Sequence, residues 1–222
     1  RLHKLYGRRK GKKLRQRQGG LMTDFLPSVA VDLSGDVAPD ALFPFARTEL
    51  RLEIGFGDGE RLIEQANERP DIVFIGCEPF LNGVAKAVAA ISDRGLTNIR
   101  IHAGDARDLL AALPANCLDR IELLYPDPWP KRRHHKRRIV SDEFLVAAAR
   151  VLKSGCDLRF ATDIDDYCAW TLAHIARSQD FVWTAERPAD WLTPWSGWKA
   201  TRYEEKARRE GRPSAYLTFV RK

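Results

Sequence analysis

The chain has 222 residues, 44% of them apolar and 30% charged, which suits one soluble domain with a full core and excludes two large ones. No apolar run approaches the roughly 20 residues of a membrane span, and the basic start lacks an apolar segment of the secretory kind, so a cytoplasmic location is expected. The net charge of +7 is local: residues 1–18 hold nine Lys/Arg and no acid, leaving 28 of the 37 basic residues against all 30 acids.

In chain order, residues 1–20 read as a flexible basic arm in front of a single domain over 21–222. Such an arm can wrap phosphates by releasing counterions, or serve only solubility. Residues 27–44, rich in Pro, Asp and Gly, predict a loop draped over the surface. From Glu49 onward, apolar strand-length runs alternate with helical patterns. RLEIGF, DIVFIGCE, NIRIHAGD, LDRIELLY and CDLRFATD predict five strands, and FVWTA and SAYLTFV two more. Between them, helices are expected at 61–68, on the face Val84, Val88 and Ile91 with a stop at Gly95, and at 109–113. Ser141 is placed to cap a helix with the apolar stripe Phe144, Leu145, Ala148, Val151 and Leu152, and 167–177 is a further helix. The alternation predicts an α/β fold, a mostly parallel sheet with helices on both faces. The four cysteines, Cys77, Cys117, Cys156 and Cys168, form no C-x-x-C and have no His at ligand spacing. They read as small apolar residues in a reducing compartment, with no metal expected.

Ligands of such sheets sit outside the carboxyl ends of the strands. Glu53 and Gly55, Glu78, Asp105, Asp127 and Asp163 fall at five successive strand ends. The first turn, Glu53-Ile54-Gly55-Phe56-Gly57-Asp58-Gly59, is G-x-G-x-G. A dinucleotide fingerprint needs its third glycine at 60, which is Glu60. That spacing, with an acid before it, favours a nucleoside cofactor without a pyrophosphate. Glu78 can accept two ribose hydroxyls, and Asp105 can accept from an adenine amino group. Taken singly, each acid is as readily a helix cap or a loop residue. Together they fit S-adenosylmethionine, with S-adenosylhomocysteine as product. The most informative stretch is YPDPWPKRRHHKRR at 125–138, where three prolines stiffen the chain around Asp127 and Trp129 before six Lys/Arg and two His. It reads as a pre-shaped acidic corner beside a polyanion-binding rim.

EIGFGDG, GCE, GDA, PDPWPK with the basic run after it, ATDIDDY and TRYEEK followed by AYLTF resemble the bacterial tRNA (guanine-N7-)-methyltransferases, from about residue 5 to the C-terminus. The resemblance implies a Rossmann-like class I methyltransferase fold, with seven strands and the last one antiparallel. It implies methylation of guanine in the tRNA variable loop, with tRNA as partner and no membrane. No obligate protein partner is expected, and the assembly is a monomer or homodimer. Glu53, Glu78, Asp105 and Asp127 match the family's cofactor acids, beside Gly55, Gly57 and Gly59 of the turn. Lys131, Asp163 and the segment Thr201, Arg202, Tyr203, Glu204 match its substrate-site residues. Arg133, His134, His135, Lys136, Arg137 and Arg138 match its RNA-contact stretch. Two departures stand out: GCEPF replaces a valine-histidine after the second-strand acid, and Tyr203 and Ala207 replace a common Phe and Gly.

Guanine N7 has a free lone pair, so no general base is needed. Asp127 is the first candidate to stabilise the purine cation. Asp163 or Glu204 would read the guanine edge, with Lys131 near O6 or a phosphate. Trp129 either stacks on the base or packs inside, and Trp191, Trp195 and Trp198 read as packing a lid. Three other readings are weaker: a methyltransferase of a small molecule or protein, against which the basic rim argues; a non-catalytic RNA-binding module, which leaves the acids at successive strand ends unexplained; and an NAD-linked oxidoreductase, disfavoured by the glycine spacing.

Overall fold

A computed structural model describes residues 6–222; the first five residues of the expected arm lie outside the described residues. Seven strands, β1 (Glu49–Ile54), β2 (Ile72–Cys77), β3 (Ile99–His102), β4 (Leu118–Leu124), β5 (Leu152–Thr162), β6 (Phe181–Trp183) and β7 (Ala215–Arg221), form one sheet in the order β3-β2-β1-β4-β5-β7-β6. The pairs among β1 to β5 are parallel, and β7 runs antiparallel to both β5 and β6. Every residue of β2 is buried, because helices cover both faces of a parallel sheet and leave no solvent side.

The helices are α1 (Gln16–Asp24), α2 (Leu26–Val29), α3 (Pro39–Leu42), α4 (Glu60–Glu68), α5 (Leu81–Arg94), α6 (Ala106–Ala112), α7 (Asp142–Val151), α8 (Asp165–Arg177), α9 (Ala189–Leu192) and α10 (Arg202–Arg209). Ser141 caps α7, accepting from the Phe144 N–H at 3.2 Å, and Gly95, at φ 62°, ends α5. Leu152 differs from expectation: it opens β5, because α7 hands directly to that strand. The 27–44 segment is not a superficial loop. It folds into α2 and α3 and buries Val29, Val31, Val37 and Phe43, while Ala30 bridges Ile101 at the β3 edge. Residues 6–14 lack helix or strand but are docked. The Leu81 N–H donates to the Arg9 carbonyl at 2.9 Å, and the Asn82 side chain bonds both Gly11 N (2.6 Å) and the Lys12 carbonyl (2.7 Å). Among the described residues, no helix is long and apolar enough to cross a membrane.

One interior feature bears on the site. The parallel register sets Glu53 of β1 beside Glu122 of β4, and they are only 6% and 2% exposed. Two buried carboxylates side by side repel and lose their hydration. Arg61, in the first turn of α4, answers both: it donates to Glu53 at 3.0 Å and forks onto Glu122 at 2.7 and 2.9 Å. One cation cannot satisfy two anions equally. Burial pushes Glu53 up to about 7, against the pull of Arg61. Burial also opposes the charge on Glu122, but the Arg61 guanidinium prevails and holds it lowered.

The folded chain therefore binds the Glu53 proton more tightly than the unfolded chain, where a Glu titrates near about 4.3. Its contribution to stability is whole below that value and is lost as pH rises through about 7. Urea unfolding of wild type and Glu53→Gln should show the variant gaining on wild type between pH 5 and pH 8. A stability difference that stays constant over that range would contradict the shift.

Candidate active site

The site begins at the glycine turn after β1. Gly55, Gly57 and Gly59 have φ of 78°, 60° and 79°, left-handed values that side-chain-bearing residues avoid. The turn is fastened to the next strand end. Glu78 accepts from Gly57 N and Phe80 N, both at 2.8 Å, so one carboxylate ties the β1 turn to the start of α5. The approach is close: a Cβ on Gly83 would lie 2.1 Å from the Gly57 carbonyl oxygen.

Because β3, β2, β1 and β4 are neighbours in that order, their ends set Asp105, Glu78, the glycine turn and Asp127 along one lip, each strand about 4.8 Å from the next. Asp105 caps α6 through the Arg107 N–H (3.0 Å) and also binds the Arg107 guanidinium (2.5 Å). Burial raises Glu78, the N–H groups of Phe80 and Gly57 pull it back, and the charges of Asp127 and Asp58 add to the rise. Asp127 reaches solvent, yet the protein around it raises its carboxyl too. Such a lip favours a cation.

The corner after β4 is strained. Tyr125 and Trp129, on either side of Asp127, have φ of 50° and 45°, which costs energy for bulky residues. Tyr125 is held by its N–H to the Ala161 carbonyl (2.8 Å) and its hydroxyl to Ser214 (2.9 Å). The basic run then forms a 3-10 helix, Arg132–Arg137. Lys131, Arg133 and Lys136 are exposed, and His134 and His135 are half-buried against Trp129 and Trp170. The Arg137 guanidinium lies 4.9 Å from both the Tyr6 and Trp129 ring centres, so Trp129 packs within the protein. Arg138, expected as an RNA contact, has a side chain that is 0% exposed and turned onto Asp166.

The facing wall comes from residues 195–204. Thr201 caps α10, accepting from the Glu204 N–H at 3.1 Å. Glu204, 1% exposed, accepts from Trp198 Nε1 (2.6 Å), the Tyr216 hydroxyl (2.7 Å) and Arg208 (2.7 Å). Its oxygens are committed within the fold, not presented to the cleft. Arg202 pairs with Asp58 at 2.7 Å, and Tyr203, 57% exposed, overhangs Gly57, where a Cβ would sit 3.9 Å from its ring. A cleft of about 410 Å³ lies between this wall and the turn, lined by Glu53, Gly55, Phe56, Arg61, Thr201 and Tyr203 among others. Asp163 stands at the β5 end, paired with Arg212 at 2.7 Å. A larger cleft, about 520 Å³, opens at the opposite strand ends around Asp119 and Lys153, but those two are already paired at 2.7 Å. Among the described residues, no group of three His, Cys, Asp or Glu could hold a metal ion.

Sequence reasoning passed over Arg61, Glu122, Asp58 and Tyr6. Glu122 carried a signal, an acid inside the apolar run IELLY, which demands a buried cation. Thr201 and Glu204 carried another, the T-x-x-E spacing of a capping box, which marks the start of α10. Asp58 and Tyr6 gave none, since their partners are distant in sequence.

Residues 47–217 match a family described as "Putative methyltransferase". The chain is 55% identical over 218 residues to a tRNA (guanine-N(7)-)-methyltransferase of Bradyrhizobium diazoefficiens, covering 97% of this chain and 92% of that one. It is 54% identical over 218 residues to the protein of the same name from Rhizobium meliloti, covering 97% and 94%. Among solved structures, it shares its fold with a precorrin-6y C5,15-methyltransferase from Geobacter metallireducens, at TM-score 0.53 and 14% identity, covering 95% of this chain and 93% of that one. An rRNA methylase from Streptococcus thermophilus also matches, at TM-score 0.53 and 13% identity, covering 94% and 99%. On the match over most of its length, this chain belongs to the tRNA (guanine-N(7)-)-methyltransferase family.

Proposed function

We propose that this protein transfers the methyl group of S-adenosylmethionine to N7 of a guanine in the variable loop of tRNA. The observation that carries the reading is the lip of carboxylates along adjacent strand ends, set beside an exposed cationic collar. The names of its relatives agree with it.

The residues fit that cofactor. Glu78 is raised by burial and Asp127 by partial desolvation from the protein around it, so a cationic ligand would relieve them, whereas a pyrophosphate would be repelled. When bound, S-adenosylmethionine supplies a methyl group activated on a sulfonium, leaving S-adenosylhomocysteine. The backbone at Gly55, Gly57 and Gly59 would admit the nucleoside closely. Glu78 would hold ribose hydroxyls. Asp105, already sharing its charge with Arg107, would border the adenine, and Glu53 would form the floor of the cleft through Arg61. No proton must leave N7 before attack, so alignment and charge stabilisation are the levers left to the protein. Asp127, at the mouth between lip and collar, would face the positive charge that develops on the purine.

For the guanine edge, we assign Asp163 in preference to Glu204, whose oxygens are taken by Trp198, Tyr216 and Arg208. Lys131 and the exposed Arg133 and Lys136 would bind phosphate, with His134, His135 and Arg137 at the edge of that surface. Thr201 and Arg202 would hold the wall, and Tyr203 would bound the purine pocket. The basic segment up to residue 20 extends the cationic surface of a single domain. The enzyme would act in the cytoplasm as a monomer or homodimer, without an obligate protein partner.

Incubation with methyl-labelled S-adenosylmethionine and unmodified tRNA should yield 7-methylguanosine in the variable loop. Label in another nucleoside, or none, would defeat the reading. Asp127→Ala should slow single-turnover transfer by about 100-fold while tRNA affinity stays near wild type; a near-normal rate excludes its role. Asp163→Ala should lose about 10-fold or more in kcat/KM, whereas Glu204→Gln should lower the melting temperature before it touches kcat. The reverse pattern would return guanine reading to Glu204.

A further inference from the structure

The basic run contains one fully buried cation. Arg132, Arg133 and Lys136 are exposed, but Arg138 is buried, its guanidinium between two rings of α8: 4.7 Å from the centre of Tyr167 and 5.2 Å from that of Trp170. Trp170 is fixed in turn by its indole N–H, which donates to the Val140 carbonyl at 2.8 Å. Three of the Arg138 donors are used inside the protein. Two reach Asp166, at its carbonyl (3.4 Å) and its carboxylate, and Nε donates to the Pro128 carbonyl at 2.8 Å.

That last bond falls at the critical place. Pro128 follows Asp127 and precedes Trp129, which is held at φ 45°. Prolines at 126, 128 and 130 remove three backbone donors. The corner is thus poorly equipped to hold itself with its own N–H groups, and an external donor must fix its carbonyls. We propose that Arg138 is a positioning residue, which through the Pro128 carbonyl holds the strained corner and so fixes Asp127 on the strand-end lip. The proposal rests on the function given above for its catalytic consequence, but not for its geometry. It explains why a guanidinium stands here. A planar fork stacks between two rings and donates in several directions at once, whereas an ammonium is a hydrated point charge that does neither well.

The test compares Arg138→Lys, Arg138→Met and Trp170→Leu with the exposed-site variant Arg133→Ala. Measurements are S-adenosylhomocysteine affinity, tRNA affinity as a function of salt, and single-turnover methyl transfer at saturation. For Arg138→Lys and Arg138→Met we expect both affinities within about two-fold of wild type, an unchanged salt slope, and a rate lowered about 10- to 100-fold, with Lys failing to rescue. Trp170→Leu should lower the rate in the same sense by less. Arg133→Ala should do the opposite, weakening tRNA binding and flattening its salt dependence by about one counterion. Weakened tRNA binding with a flatter salt slope in the Arg138 variants would make Arg138 a phosphate ligand and overturn the proposal. So would full rescue by Lys, or a wild-type rate in Trp170→Leu should the Arg138 variants fail to fold. If wild type methylates no tRNA, the functional reading falls, and crystal structures of wild type and Arg138→Met still decide this point. An unmoved Pro128 carbonyl would refute it, and a displaced one with Trp129 relaxed would sustain it.

Discussion

Two glutamates on neighbouring strands meet a single arginine, and much of the site follows from that meeting. Arg61 reaches Glu53 and Glu122 only because α4 starts immediately after the turn, and α4 starts there because Gly59 takes the left-handed conformation at its N-cap. The turn that opens the cleft is thus the turn that delivers the neutralising charge beneath it. Without that charge, two buried carboxylates would be left unpaired, a state that removal of one partner makes costly by about 3–5 kcal/mol. The outer face of Arg61 does further work of position. It lies 4.8 Å from the Trp198 ring centre; Trp198 donates to Glu204, and Glu204 accepts from Tyr216 on β7. The floor of the cleft and its far wall therefore share one chain of contacts across the sheet.

The arrangement has to reconcile opposite demands, since a lip that attracts a cation repels a polyanion. Burial separates the two. Glu78 is buried, and Asp105 is buried and paired with Arg107, so their fields act over short range, along the lip. Lys131, Arg132, Arg133 and Lys136 project into solvent, where on the proposed function a phosphate chain would meet them first. In physiological salt, charges more than about 8 Å apart are largely screened. Beside the corner the Arg137 guanidinium lies 4.9 Å from the ring centres of both Tyr6 and Trp129, so its positive charge is held against two aromatic faces.

The strands were legible because short runs carrying apolar residues recur between helical patterns, and β2, IVFIGC, covered on both faces, is nearly continuous in that respect. The acids at the strand ends were legible by position. α10 was legible only at its start, through the T-x-x-E spacing: RYEEKARR buries only Glu204 and Ala207, too little for periodicity to register. α1 hides for a similar reason, with paired glycines and no residue fully buried. The 27–44 segment reads as loop by composition, yet its few valines and Phe43 are the parts that seat it on the core. Register is what a single chain conceals best. Nothing local announces that Glu53 and Glu122 will be neighbours, or which member of a run of six cations will turn inward. That Arg138 does so depends on Tyr167 and Trp170 arriving from α8.

The corner around Asp127 shows how local sequence and tertiary contact divide the task of preorganisation. Its three prolines narrow what the unfolded chain can do, so less entropy is lost when the corner forms. They do not by themselves choose the final shape, because Tyr125 and Trp129 sit where non-glycine residues pay about 1–3 kcal/mol each. That strain persists only if other parts of the molecule impose it. Here β5 holds Tyr125 through the Ala161 carbonyl, the segment before β7 holds its hydroxyl through Ser214, the N-terminal segment packs Tyr6 on Trp129, and Arg138 holds the carbonyl between. A corner closed by its own hydrogen bonds would take its geometry from its neighbours in sequence. This one takes it from four separate elements, so the position of Asp127 registers the assembly of the whole sheet. For a transfer in which no base removes a proton, alignment is the principal means of acceleration, and the acid stands on a segment that the fold constrains from several directions.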